Sequence, residues 1–122
     1  MLFKKKKVTN EEITKALIDK SLEVIINQLP EKTFPSGVIR PYFVAFDIPK
    51  TKNEAFLRIE RSGGDVSLRV HVIRQGTDRS YSNFIHSCSD AELESYLKNE
   101  VDRDEIYKSV IHLSESVDEY WK

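Results

Sequence analysis

Few residues in this chain could carry acid–base, nucleophilic or metal chemistry: His71, His86, His112 and the single cysteine, Cys88. A metal site needs three or four donors converging within about 2.0–2.3 Å of one point. His71 and His86 fall on neighbouring strands, and the favoured register sets His86 opposite Ser67. That leaves the two imidazoles roughly 13 Å apart along the strand direction, at about 3.3 Å per residue. A register shifted by one residue sends them to opposite faces. His112 belongs to a helix, and His86 with Cys88 offers two donors without a third. The spacing therefore predicts no metal. Cys88 lies just ahead of a helix N-terminus, which favours thiolate. It has no base beside it and reads as a small buried hydrophobe.

The remaining catalytic signals are missing. No serine sits in a G-x-S-x-G elbow. Ser62-Gly63-Gly64-Asp65 lacks the lysine and the following helix of a phosphate-cradling loop. The acidic pairs Glu92/Glu94 and Asp102/Asp104 occupy helix starts, where carboxylates complement the backbone dipole. No cofactor is expected, and the chain reads as non-enzymatic.

One cluster stays conspicuous. Phe56, Arg58, Arg69 and His71 share a sheet face, with Arg74, Arg79 and Phe84 at its margin. Arg58 directly opposite Arg69 is a like-charge cross-strand pair, mildly unfavourable, and Glu60 at one end relieves only part of it. Such a face docks an acidic protein partner, or stacks single-stranded nucleic acid on its aromatics. It reads equally as a solvated surface whose arginines lean on rings.

The stretch that must position these residues runs from Ala55 to Arg74. Two alternating segments flank Gly63-Gly64, a strong hairpin signal because glycine reaches the positive φ of tight turns. A two-residue loop pairs Ile59 with Leu68, Leu57 with Val70 and Ala55 with Val72 on an apolar face. Phe56, Arg58 and Glu60 then oppose His71, Arg69 and Ser67 on the other.

Upstream, Thr9-Asn10-Glu11-Glu12 is a capping box opening a helix that should stop at Leu29, before Pro30. Its apolar positions cover more than half the circumference, which predicts burial on two sides, by the sheet and another helix. Residues 30 to 41 form a connector. Tyr42, Val44, Phe46 and Ile48 then alternate with Phe43, Ala45 and Asp47 as a strand, with Ile48 expected to face Ala55. After the turn at 75–79, residues 80 to 88 make a fourth strand in which neither parity is cleanly apolar; Tyr81 and Ile85 are assigned inward. Ser89-Asp90-Ala91-Glu92 caps a short helix through Leu93, Tyr96 and Leu97. A last helix carries Ile106, Val110, Leu113, Val117 and then Tyr120 or Trp121, a stripe expected to dock on the first helix and the sheet rim.

The expected fold is α+β: a four-stranded antiparallel meander in order 1-2-3-4, with an N-terminal helix and two C-terminal helices on one face. Residues 1–8 are expected to be a disordered basic tip and 9–122 a single domain. By analogy of architecture, the layout is met among small bacterial binding and immunity-type domains. Residues 1–89 hold 15 Lys and Arg against 10 Asp and Glu, and residues 90–122 hold 4 against 10. That acidic C-terminal third weighs against general nucleic-acid affinity. One cysteine fits a reducing, cytoplasmic setting. Met-Leu-Phe ahead of Lys4–Lys7 has no apolar stretch behind it, so neither a cleavable signal nor a membrane span is expected. The overall reading is a monomeric or weakly dimeric interaction domain of adaptor or immunity type. An enzyme whose site is assembled from scattered residues is the remaining alternative.

Overall fold

The computed structural model describes residues 8–32, 42–62 and 64–120. Residues 1–7, the connector at 33–41, Gly63 and residues 121–122 lie outside the described residues, as do the side chains of Pro30, Glu31, Lys32, Tyr42, Ser62 and Tyr120. The chain is α+β. Helix α1 (Asn10–Lys32) precedes strands β1 (Tyr42–Asp47), β2 (Asn53–Ser62), β3 (Asp65–Arg74) and β4 (Ser80–Cys88). Helix α2 (Asp90–Ser95) follows, extended by a π-helical turn over Tyr96–Glu100, and α3 (Arg103–Tyr120) ends the fold. The sheet is antiparallel throughout, in order β1-β2-β3-β4.

The β2–β3 hairpin has the register that alternation predicts: Phe56 opposes His71, Arg58 opposes Arg69 and Ile59 opposes Leu68. Strand β1 is set two residues tighter than expected, with Phe46 rather than Ile48 opposite Ala55. An even shift leaves the apolar face intact. Its cause is the turn. The Ile48 N–H donates to the Asn53 carbonyl at 3.0 Å. The Thr51 hydroxyl donates to the Ile48 carbonyl (2.9 Å) and accepts the Asn53 N–H (3.0 Å). The β3–β4 turn repeats this device: Thr77 bridges the Arg74 carbonyl (2.9 Å) and the Arg79 N–H (3.1 Å). The residue before each threonine has positive φ, Lys50 at 59° and Gly76 at 79°. Glycine suits that conformation and lysine does not.

Strand β4 explains why its sequence fits neither parity. Tyr81 opposes Val72 and Asn83 opposes Val70, but past a bulge His86 opposes Leu68 and Cys88 opposes Val66. Ile85 is the extra residue, so inward positions change parity midway along the strand. Tyr81 is directed inward yet stays 38% exposed at the sheet edge. His86 sits opposite Leu68 rather than Ser67, and Ser67 faces Ser87.

Helices cover one face. Ala55, Leu57, Ile59, Val66, Val70 and Val72 are fully buried beneath them. Helix α1 contributes Ile18, Leu22, Ile25 and Leu29, spaced three and four apart, and meets both β1 and α3. Its apolar arc is wider than its buried stripe: Ile13 is 38% exposed and Val24 half-buried. The Glu12 N–H donates to the Thr9 hydroxyl at 3.1 Å, completing the cap. The helix runs on to Lys32 rather than stopping at Leu29. Pro30 therefore takes one N–H from the ladder without ending the helix. Ser89 caps α2 as expected, its hydroxyl donating to the Glu92 carboxylate at 2.6 Å. In α3, Asp102 Oδ1 accepts the N–H groups of Asp104 and Glu105. The stripe Ile106, Val110, Leu113 and Val117 is buried over β3 and the edge strand β4, with α1 alongside. No helix of the described residues is long and apolar enough to cross a membrane.

Candidate functional site

Alternation delivers Phe43 from β1, Phe56 and Arg58 from β2, and His71 and Ile73 from β3 to the face away from the helices. Among the described residues no element lies over it. These five side chains line a shallow depression of about 190 Å³. Phe43 and Phe56 meet edge to face, ring centres 5.1 Å apart and planes at 77°. Phe56 also leans on the His71 ring at 5.8 Å. Phe43 is 57% exposed and Phe84, on the far strand, 53%.

The charges are organised by Glu60. Its Oε1 lies 2.7 Å from Arg69 Nε and its Oε2 lies 3.6 Å from Arg58 Nη2. The Arg69 Nε approach is too oblique for an aligned hydrogen bond, so charge rather than N–H direction holds it. The like-charge pair is thus bridged by a carboxylate touching both arginines, where the sequence suggested only partial relief. Arg69 also stacks its guanidinium over Phe84 at 5.7 Å. Arg58 Nη1 sits 3.2 Å from His71 Nδ1. Guanidinium can only donate, so His71 Nδ1 must accept, and the neutral ring carries its proton on Nε2. Burial first, and then Arg58, holds the His71 pKa below its ordinary value, with Glu60 opposing.

Of the residues singled out by sequence, Phe56, Arg58, Arg69 and His71 are brought together. Arg74 is not. It shares parity with Val72 and turns to α3, where its Nη1 donates to Asp118 Oδ1 at 3.1 Å. Asp118 also accepts from Nδ2 of the fully buried Asn53 at 3.0 Å. Arg79 lies in the β3–β4 turn at the level of Arg74, whose N–H donates to the Arg79 carbonyl. Phe43 and Ile73 were missed, although their outward parity could be read from the strand pattern.

The other candidates separate. His71 is on the outer face and His86 on the inner side, stacked on Tyr96 with ring centres 4.1 Å apart. Burial and then neighbouring carboxylates, chiefly Glu92 and Asp65, push the Cys88 thiol above its ordinary pKa. The helix N-terminus does not activate it. Among the described residues no three His, Cys, Asp or Glu side chains gather as a metal would require. A broader groove of about 460 Å³ between β4 and α3 is lined by Asn83, Asp102, Asp104, Glu105, Lys108 and His112. Its carboxylates are those that cap and complement the start of α3.

Compared with protein-family models, curated proteins and solved structures, this chain has no match.

Proposed function

We propose that this chain is a small non-enzymatic interaction domain, working in a reducing compartment such as the cytoplasm, whose open sheet face docks an acidic protein partner. One observation carries the reading: a face that no described element covers, on which exposed aromatic rings flank a guanidinium pair. Arginine and aromatic side chains are the residues most enriched at binding hot spots. The Arg58–Glu60–Arg69 group keeps one net positive charge, which favours a carboxylate-bearing surface. Asp47, Glu54 and Glu60 share the same face by parity, which argues for a protein rather than a polyanionic strand. Four strands about 4.8 Å apart and up to 10 residues long give roughly 600 Å². A standard interface takes about 800 Å² per partner, so the association is of the transient kind.

The test compares partner capture by the native chain and by the Phe43→Ser/Phe84→Ser variant. Both rings are mostly exposed, so the fold should survive, as circular dichroism would verify. A stoichiometric partner kept by the native chain and lost by the variant is the expected result. A partner retained by both would place docking elsewhere on the molecule.

A further inference from the structure

The depression is more selective than the face around it. Its floor and walls are apolar, made by Phe43, Phe56 and Ile73, and about 190 Å³ suits one aliphatic or aromatic side chain rather than a chain segment. The two polar side chains that line it present donors only, with Glu60 behind Arg58 and Glu54 opposite Ile73 at the margin. Arg58 has no acceptor atom, and it occupies His71 Nδ1, so the imidazole presents Nε2–H. Among the described residues nothing accepts that proton. A carboxylate in the partner can accept from both residues, and charge-assisted contacts of this kind are roughly twice as strong as neutral ones. A lysine or arginine there would meet Arg58 and a ring nitrogen bearing hydrogen. A bare carboxylate would leave the aromatic walls in water.

We infer that the depression recognises an apolar side chain adjoining an Asp or Glu in the partner segment. The apolar group seats between Phe43, Phe56 and Ile73, and the carboxylate bonds Arg58 and the Nε2–H of His71. This rests on the outer face being the docking surface and adds which partner sequence it selects. His71 becomes a specificity-determining residue whose tautomer is fixed by Arg58.

The probes are twelve-residue, terminally blocked Gly/Ser peptides carrying one central Leu-Glu, Leu-Gln or Ser-Glu pair, titrated into the ¹⁵N-labelled full chain. Leu-Glu should bind saturably, shifting the amides of Phe43, His71 and Ile73, with Leu-Gln and Ser-Glu each at least about tenfold weaker, equal to about 1.4 kcal/mol. His71→Phe keeps a ring but loses the donor, and should abolish the preference for Leu-Glu over Leu-Gln. His71→Gln can accept from Arg58 and donate outward, and should retain most of it. Equal binding of Leu-Glu and Leu-Gln to the native chain would overturn the carboxylate assignment. So would shifts centred on Arg69 and Phe84, although the docking face would then stand. Silence from all three peptides overturns the selectivity alone, because the Phe43→Ser/Phe84→Ser capture experiment judges the face independently.

Discussion

Replacing Glu60 with glutamine tests the charge arrangement on the outer face most directly. The carboxylate lies 2.7 Å from Arg69 and 3.6 Å from Arg58, and all three side chains are 28–35% exposed. At that exposure water screens each attraction to about 0.2–1 kcal/mol. The Arg58–Arg69 repulsion is present with or without the carboxylate and adds nothing to that difference. Glu60→Gln should therefore cost about 1 kcal/mol. For 122 residues that is a fall in Tm of about 3–6 °C, between the values for smaller and larger domains. Thermal unfolding by circular dichroism at low ionic strength reads it, and added salt should shrink the difference. The diagnostic quantity is the coupling with Arg69→Gln. In the native chain that change loses the Glu60 contact and the stack on Phe84. In the Glu60→Gln background it loses only the stack, relief of the Arg58 repulsion being common to both, so its cost should drop by about 0.2–1 kcal/mol. A coupling of about zero would mean that the arginines are solvated independently and that Glu60 bridges nothing.

The remaining predictions concern the core and pH. Leu113→Ala should cost about 2–5 kcal/mol in denaturant unfolding, since Leu113 is 4% exposed within the α3 stripe; an unchanged midpoint would show that α3 is dispensable to the fold. The folded state holds the His71 pKa below its ordinary 6.5, so the unfolded chain takes up a proton first as pH falls. That contribution to stability is complete above about 6.5 and is lost as pH falls through the folded value. The native chain should lose more stability than His71→Gln between neutral and mildly acidic pH, and parallel pH profiles would refute the neutral-imidazole assignment.

The central hairpin was legible because two signals agreed. Gly63-Gly64 placed the turn, and strict alternation left one register with a clean apolar face. The β1 register was legible in parity but not in position. Asn53 is polar and reads as turn, yet it is fully buried and its Nδ2 donates to Ser114 and Asp118 on α3. Only the tertiary contact reveals why β2 begins there. The fourth strand was ambiguous for a physical reason, since a bulge makes both parities correct in different halves. On the outer face, Arg58 opposite Arg69 followed from the hairpin alone. The reach of Glu60 to both is diagonal, set by side-chain conformers that the pattern does not encode. Arg74 is the instructive miss: its parity with Val72 already pointed it at the helices.

The bulge at Ile85 has a consequence for how this protein can associate at all. Strand β4 closes one side of the sheet, and a border strand with a regular row of backbone donors and acceptors invites a second chain to extend the ladder. Here that row is interrupted between Phe84 and His86 and its twist is increased. A foreign strand aligning along Ser80–Asn83 would lose step before reaching Cys88. Runaway strand-to-strand growth, the route to insoluble fibres, is therefore discouraged along this border.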